Sequence, residues 1–263
     1  MTAGAPANRL ALVWLIDDTW ALTGRSIRHE LRSLDGLLVT MLLPLLVLLA
    51  FVYVLGGALR TPGSYVDYVV PGIVVLTSGY GAALTATALT RDLSTGMIDR
   101  LRASPASPAA LFAGHVMAAL LRTLFSSALV VGVAIGLGFD AVASPGAWLA
   151  AIGMTSAYIL AIAWVGVVIG VGARSVEAAG GFSFVVLFLP YVSSGFVPTE
   201  TLPPALRAFA ENQPLTPIIE TLRALLLGTE LGDHGYRALV WCFGIVVFAI
   251  PAAAFLFRRR TGR

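Results

Sequence analysis

The side chains that most often carry chemistry are few in this chain. It has three histidines, one cysteine and 14 carboxylates among 263 residues. His29, His115 and His234 fall in different regions, and the charge distribution places His29 and His234 on opposite membrane faces. That argues against a shared metal site, and no zinc-type spacing occurs. No Ser/His/Asp set converges for nucleophilic catalysis. Hydrolysis of ATP by a phosphate loop needs a lysine after the glycines, and all 17 basic residues are Arg. The lone Cys242 sits in an apolar run, so it makes no disulfide within the chain and reads as a buried thiol. No residue is assigned a catalytic role, and no cofactor or metal is expected on this chain.

What remains is the chemistry of docking. Residues 91–108 read Arg91-Asp-Leu-Ser-Thr-Gly96-Met-Ile-Asp-Arg-Leu-Arg102-Ala-Ser-Pro105-Ala-Ser-Pro108. Leu93, Met97 and Leu101 recur every fourth residue, a small apolar stripe flanked by Asp99, Arg100 and Arg102. Pro105 and Pro108 end the helical pattern. Such a segment suits a groove on a partner protein. It reads equally as a solvated connector carrying interfacial charge.

The elements that position this loop follow from composition. The chain is 58% hydrophobic and 12% charged, against about 25% charged in ordinary soluble domains. Its mean hydropathy is +0.88. The expectation is an all-α integral membrane protein with six spans, near 37–59, 68–90, 113–137, 147–172, 179–197 and 238–257. Runs of about 20 apolar residues cross the hydrocarbon core, and in lipid they must be helical to satisfy their backbone. Pro44, Pro71 and Pro190 are expected to kink their helices. The first long run starts near Gly36, too far in and too long for a signal peptide. The domain reading is 1–36 as a cytoplasmic N-terminus, 37–257 as one membrane domain, and 258–263 as a tail.

Arginine placement sets the orientation. Arg9, Arg25, Arg28, Arg32, the loop 91–112, Arg174 and the tail arginines 258–260 and 263 share one side, expected to be cytoplasmic with both termini. The modest net charge of +3, with arginines at membrane edges, gives no nucleic-acid footprint. Within the first 36 residues, Trp20, Ile27, Leu31 and Leu34 fall on one helical face, as in a helix lying on membrane lipids. An ordinary helix packed on protein is the alternative. Arg122, about nine residues into span three, is expected to snorkel along its stem to the cytoplasmic interface; a functional charge within the membrane is the alternative.

On the other side, 198–237 breaks at Pro198-Thr-Glu-Thr-Leu-Pro-Pro204 and resumes as two short helical patterns, near 205–212 and 217–227. The second has Thr216 as a cap, Pro217 in its first turn and Gly228 past its end. Each pattern is roughly 16 Å long or less at about 1.5 Å per residue, too short to cross. Two short external helices between spans five and six are therefore expected. Leu206, Phe209, Ile218, Leu222 and Leu225 are their apolar positions; they close a pathway or lie on the bilayer. Phe182, Phe184, Phe188, Tyr191 and Phe196 cluster along span five. Packing between helices or against lipid is the commoner use of such residues, and lining a path for cargo is the alternative; Phe188, Tyr191, Phe196 and Leu222 are the gate candidates.

The wording of this region, Ser194-Gly-Phe-Val-Pro198, Leu202-Pro203, Asn212-Gln-Pro214-Leu-Thr-Pro217 and Leu222-Arg223-Ala-Leu-Leu-Leu-Gly228, resembles ABC transporter permeases of the type-2 exporter class. It is most similar to their daunorubicin-resistance-like drug-efflux branch. Asp92, Gly96, Leu101, Arg102 and Pro105 match that family's loop after span two, and Met97 lies among them. The family often has Glu where Asp92 stands. The resemblance implies that this loop and the amphipathic segment contact an ATP-binding cassette subunit. It also implies two such subunits, holding ATP and Mg, and a second permease copy or a sister permease. The cargo it implies is hydrophobic or amphipathic. Export of a polysaccharide or lipid-linked glycan uses the same fold. An intramembrane enzyme would need acids or histidines converging at depth, and a membrane anchor would need no ATPase.

Overall fold

The computed structural model describes Thr19, Thr23, Gly24 and residues 34–57, 63–96 and 108–262. These are helices and their connections, with no strand among the described residues. Helix α1, Leu34–Leu49, passes directly into a π-helical turn, Ala50–Leu55. Helix α2 is Tyr65–Ser94, α3 Pro108–Gly136, and α4 Pro145–Gly172. Helix α5, Val176–Phe188, gives way to 3₁₀ turns at Leu189–Val192 and Thr199–Thr201. The short helices α6, Pro204–Asn212, and α7, Leu215–Leu227, precede the long α8, His234–Thr261.

Local chemistry explains most of these boundaries. Ser144 caps α4 by accepting a hydrogen bond from Ala147 N at 3.2 Å, with Pro145 in the first turn. Ser175 caps α5 in the same way through Ala178 N. Gly228 ends α7 at φ 68°, a left-handed conformation that glycine adopts at no steric cost. Thr216 is not the cap expected of it. Helix α7 starts at Leu215, two residues before the expected Pro217, and the Thr216 hydroxyl donates to Ala210 O at 2.6 Å, tying α7 back to α6.

Helix α2 is the axis of the molecule. It is buried along almost its whole length and packs against α1, α3, α4, α5 and α7. Its contact with α4 is close because small residues meet. A Cβ on Gly166 would lie 2.5 Å from Ala82 O, and one on Gly170 would lie 2.8 Å from Ala86 O. That is the small-residue packing by which helices associate in lipid, where apolar burial supplies no drive. Thr90 adds a hydrogen bond across the seam, to Gly170 O at 3.0 Å. Helix α8 packs on α4 and α7 and leaves Phe243, Val247, Phe248 and Phe255 exposed.

Among the described residues, four helices are long and apolar enough to cross a membrane: Tyr65–Ser94, Ala109–Gly136, Pro145–Gly172 and His234–Thr261. Those expected as spans one and five correspond to shorter apolar stretches, Met41–Val54 and Val176–Val192. Span five stops short for a visible reason. Pro190 brings no N–H to continue an α-helix, and the chain leaves α5 at Phe188, so Pro190 ends the helix rather than kinking it. The observed long helices overrun their expected limits at both ends in α2 and α8, because polar end residues such as Arg91 and Arg258 remain helical beyond the apolar core.

Candidate functional site

Two regions gather the functional candidates, one around residues 91–108 and one after α5. At the first, Asp92 lies in the last turn of α2, and Gly96 closes that helix at φ 82°. Met97, Leu101, Arg102 and Pro105 lie outside the described residues, as do Trp20, Ile27 and Leu31. Leu34 is the first residue of α1, and its side chain is also outside them. The described flank holds a pair that sequence reasoning did not foresee. His115 Nε2 is 3.2 Å from Asp92 Oδ2, with the histidine side chain only 7% exposed. The pair joins α2 to α3 beside the two ends of the loop. Thr23, also buried, donates to Thr19 O at 2.7 Å and to Gly114 O at 3.5 Å. The N-terminal segment thus touches α3 next to His115.

The signal for His115 was present in its helical neighbours. Leu111, Phe112, Ala118 and Ala119 are all buried, so period alone puts this histidine on an inward face, where it needs a partner. Which residue would meet it was hidden by the intervening loop, whose length does not set the register between α2 and α3.

Arg122 bonds to the neighbouring helix α2. It lies fourteen residues after Pro108, and Gly81 lies thirteen before Ser94. Both are therefore about 20 Å from the loop ends of their helices at about 1.5 Å per residue. Arg122 Nη2 donates sideways to Gly81 O at 3.0 Å and Thr85 Oγ1 at 3.3 Å. The missing side chain at Gly81 brings α3 close; a Cβ there would sit 2.3 Å from Thr123 Oγ1. The stem expected to reach an interface is used to bind a neighbouring helix.

After α5 the chain is held by one cation. Arg223 pairs with Glu220 one turn earlier on α7. Its Nη2 donates to Tyr68 O at 3.0 Å and to Ser194 O at 2.8 Å, and its guanidinium carbon lies 3.9 Å from the centroid of the Tyr68 ring. One side chain thereby connects α7, the first turn of α2 and the turn after α5. Tyr65 Oη adds a bond to Phe196 O at 3.2 Å, and Gln213 Nε2 one to Val192 O at 2.6 Å. Ser193 stabilises the turn itself by donating to Pro190 O and accepting from Gly195 N. On α6, the hydrogen bond to Glu211 raises the Arg207 guanidinium above its ordinary pKa.

The aromatic gate candidates do assemble. The rings of Tyr191 and Phe196 stack at 4.6 Å, and Phe188 lies 6.4 Å from Tyr191. Phe51, not foreseen from the sequence, joins them from the π-helical turn, 4.4 Å from Phe196. Their environments differ: Phe188 is 67% exposed, and Phe196 2%. Leu222 lies in the core cluster that also holds Phe196, buried with Ile218 and Ile219.

Residues 17–227 match the family described as ABC-2 type transporter. A daunorubicin resistance ABC transporter permease protein, DrrB1 of Streptomyces coeruleorubidus, is 31% identical over 227 residues, spanning 83% of this chain and 78% of its own. The Mycobacterium tuberculosis protein named "Probable doxorubicin resistance ABC transporter permease protein DrrC" is 26% identical over 253 residues, 94% of this chain and 91% of its own. With the match running from the N-terminal segment through the end of α7, the chain belongs to the ABC-2 type transporter family.

Proposed function

We propose that this chain is the membrane-spanning permease subunit of an ATP-driven exporter that moves a hydrophobic or amphipathic compound, such as an antibiotic or a lipid, out across the cytoplasmic membrane. One observation carries the reading: the family match covers residues 17–227 of a chain without a single Lys. A lysine-dependent phosphate loop is impossible here, so ATP and Mg are bound and ATP is hydrolysed in a separate subunit. The resistance names of both relatives point to drug-like cargo.

In the proposed assembly, two permeases meet two ATP-binding subunits. Six helical segments cross, with Leu34–Leu55 and Val176–Val192 serving as the first and fifth. Both termini and the 97–107 loop face the cytoplasm, the N-terminal segment lies along the inner membrane surface, and α6 and α7 lie outside. ATP binding favours closed cassettes, and the loop passes that bias into the helices so that a path opens outward. Exposed Leu42 and Leu46 on α1, with Phe184 and Phe188 on α5, support a seam with the second permease there.

Co-purification with an ATP-binding protein encoded beside this chain tests the reading. A complex of two permeases and two ATPases in mild detergent is the expected mass. A chain that emerges alone, with every neighbouring ATPase failing to bind, overturns it. Within a complex, Leu101→Asp or Arg102→Glu is expected to uncouple hydrolysis from transport while insertion persists. Normal transport with both changes would remove the loop from the mechanism.

A further inference from the structure

Helices α2 and α3 run antiparallel, and their ends at the loop lie at different heights. Asp92 lies two residues before the end of α2, about 3 Å along its axis, and His115 seven residues after the start of α3, about 10 Å along it. Their contact at 3.2 Å therefore leaves the first turns of α3 projecting beyond the end of α2. A stretch as long as 95–107 reaches roughly 40 Å when extended, so its length does not set this register. A hydrogen bond of fixed length does. We infer that His115 is a positioning residue: it holds the Asp92 carboxylate, and the end of α2 that carries it, in the place where the ATP-binding subunit meets them. The inference rests on the exporter reading above.

The two side chains differ in what they can reach. Asp92 is 26% exposed and His115 7%. A partner on this face can touch the carboxylate, and the imidazole lies behind it. His115 donates from Nε2 to Asp92 Oδ2. That is the arrangement by which a supporting side chain locks the orientation of one that makes contact. Stability is a poor reason for the pair, since buried polar pairs gain little over apolar packing and their best-attested use is to set register. Apolar packing already holds this junction. Leu93, next to Asp92, is buried in one cluster with Leu111, Phe112 and Val116 of α3 and with Val167 and Val171 of α4.

A second contact lands on the same spot from another direction. Thr23 is 1% exposed and donates to the carbonyl of Gly114, the residue before His115. The N-terminal segment, the end of α2 and the start of α3 thus meet within one residue of His115. All three lie on the side proposed to face the ATPase. While His115 holds Asp92, a displacement of the end of α2 by a docked subunit is passed to α3 at the point where the N-terminal segment also rests.

The test is the affinity of the ATP-binding protein encoded beside this chain for the purified full chain in nanodiscs. It is measured well below the melting temperature, where a loss of stability alone leaves the affinity unmoved. His115→Leu is expected to weaken binding about fivefold, as loss of one hydrogen bond predicts. Asp92→Ala is expected to weaken it at least as much. Adding His115→Leu to Asp92→Ala is expected to weaken it no further, because His115 acts through Asp92. His115→Asn, whose amide ends short of the Nε2 position, is expected to match His115→Leu and serves where leucine blocks insertion. Glu230→Gln, in the exposed connection before α8, is expected to change nothing. Unchanged affinity in both His115 variants overturns the role, and so do His115 and Asp92 effects that multiply. A native chain that binds no neighbouring ATP-binding protein overturns the exporter reading and this inference with it. A native affinity that is indifferent to His115 overturns this inference alone.

Discussion

Arg223 ties together backbone from two different elements. The carbonyls of Tyr68 and Ser194 belong to different elements, and both accept from the same Nη2. Removing the guanidinium leaves the Ser194 carbonyl and the Glu220 carboxylate short of a partner, at about 1–3 kcal/mol for each buried group. Since Glu220 is 26% exposed and water reaches it, the expected loss for Arg223→Met is about 2–4 kcal/mol. Thermal unfolding in detergent would read it, and an unchanged midpoint would mean that the node is ornamental. Arg223→Lys keeps the charge without the fork and is expected to recover less than half. The residue was legible in part. Ile219 and Leu226, four before and three after it, are buried, so helical period already placed an arginine on an inward face. What the sequence withheld was the pair of carbonyls it meets, set by contacts with residues 29 and 155 positions away. The Asp92–His115 pair has the same character. A double-mutant cycle with Asp92→Asn and His115→Gln is expected to give a coupling of about 0.5–1.5 kcal/mol in the unfolding of the purified chain. A coupling of zero would show that the two side chains are adjacent without interacting.

At the scale of elements, helices were legible and their junctions were not. Apolar length found the long helices, and Gly228 marked the end of α7 where it lies. Thr216 misled because a threonine before a proline looks like a cap whether or not the helix has already begun. Span five misled because its apolar run continues through Phe196 although its helix stops at Phe188. Hydropathy reports burial, and burial is the same for a helix and for a turn packed against one. The turn after α5 is tolerated at depth because α2 receives it at a glycine. A Cβ on Gly72 would lie 2.5 Å from Gly195 O and 2.8 Å from Gly195 Cα, backbone atoms with no flexible end to move aside. Gly72→Ala is therefore expected to destabilise the chain by about 1–3 kcal/mol, as overpacking does elsewhere. Gly132 supplies the contrast: it lies in α3 with nothing within 4 Å of a new Cβ. Alanine there is expected to be neutral or to stabilise by about 0.5–1 kcal/mol through helix propensity. Opposite signs for the two substitutions in one melting experiment would locate the constraint at the α2–turn contact. Equal effects would mean that the close approach relaxes without cost.

The whole molecule is polarised by its arginines, and the structure changes what they count for. On the side of α6 and α7, Arg207 pairs with Glu211, Arg223 with Glu220, and Arg237 with Asp233, each within one helical turn. These arginines are retained by structural work, two of them by binding backbone carbonyls as well. At the opposite end, Arg258, Arg259 and Arg260 close α8 with no acid in the last turn, and Arg260 holds Val171 O and Ala173 O at the end of α4. The proposed cytoplasmic C-terminus follows from the arginines that end α8. Single cysteines test it. Cys242 is the one native thiol and is buried, so Cys242→Ala gives a silent background. In intact cells, a membrane-impermeant maleimide is expected to label Leu231→Cys, in the exposed connection before α8, and to label Gly262→Cys only after permeabilisation. The reverse pattern would put α6 and α7 inside the cell. Labelling of both sites in intact cells would instead mean that α8 does not cross, and four helices of spanning length would have to be reduced to three.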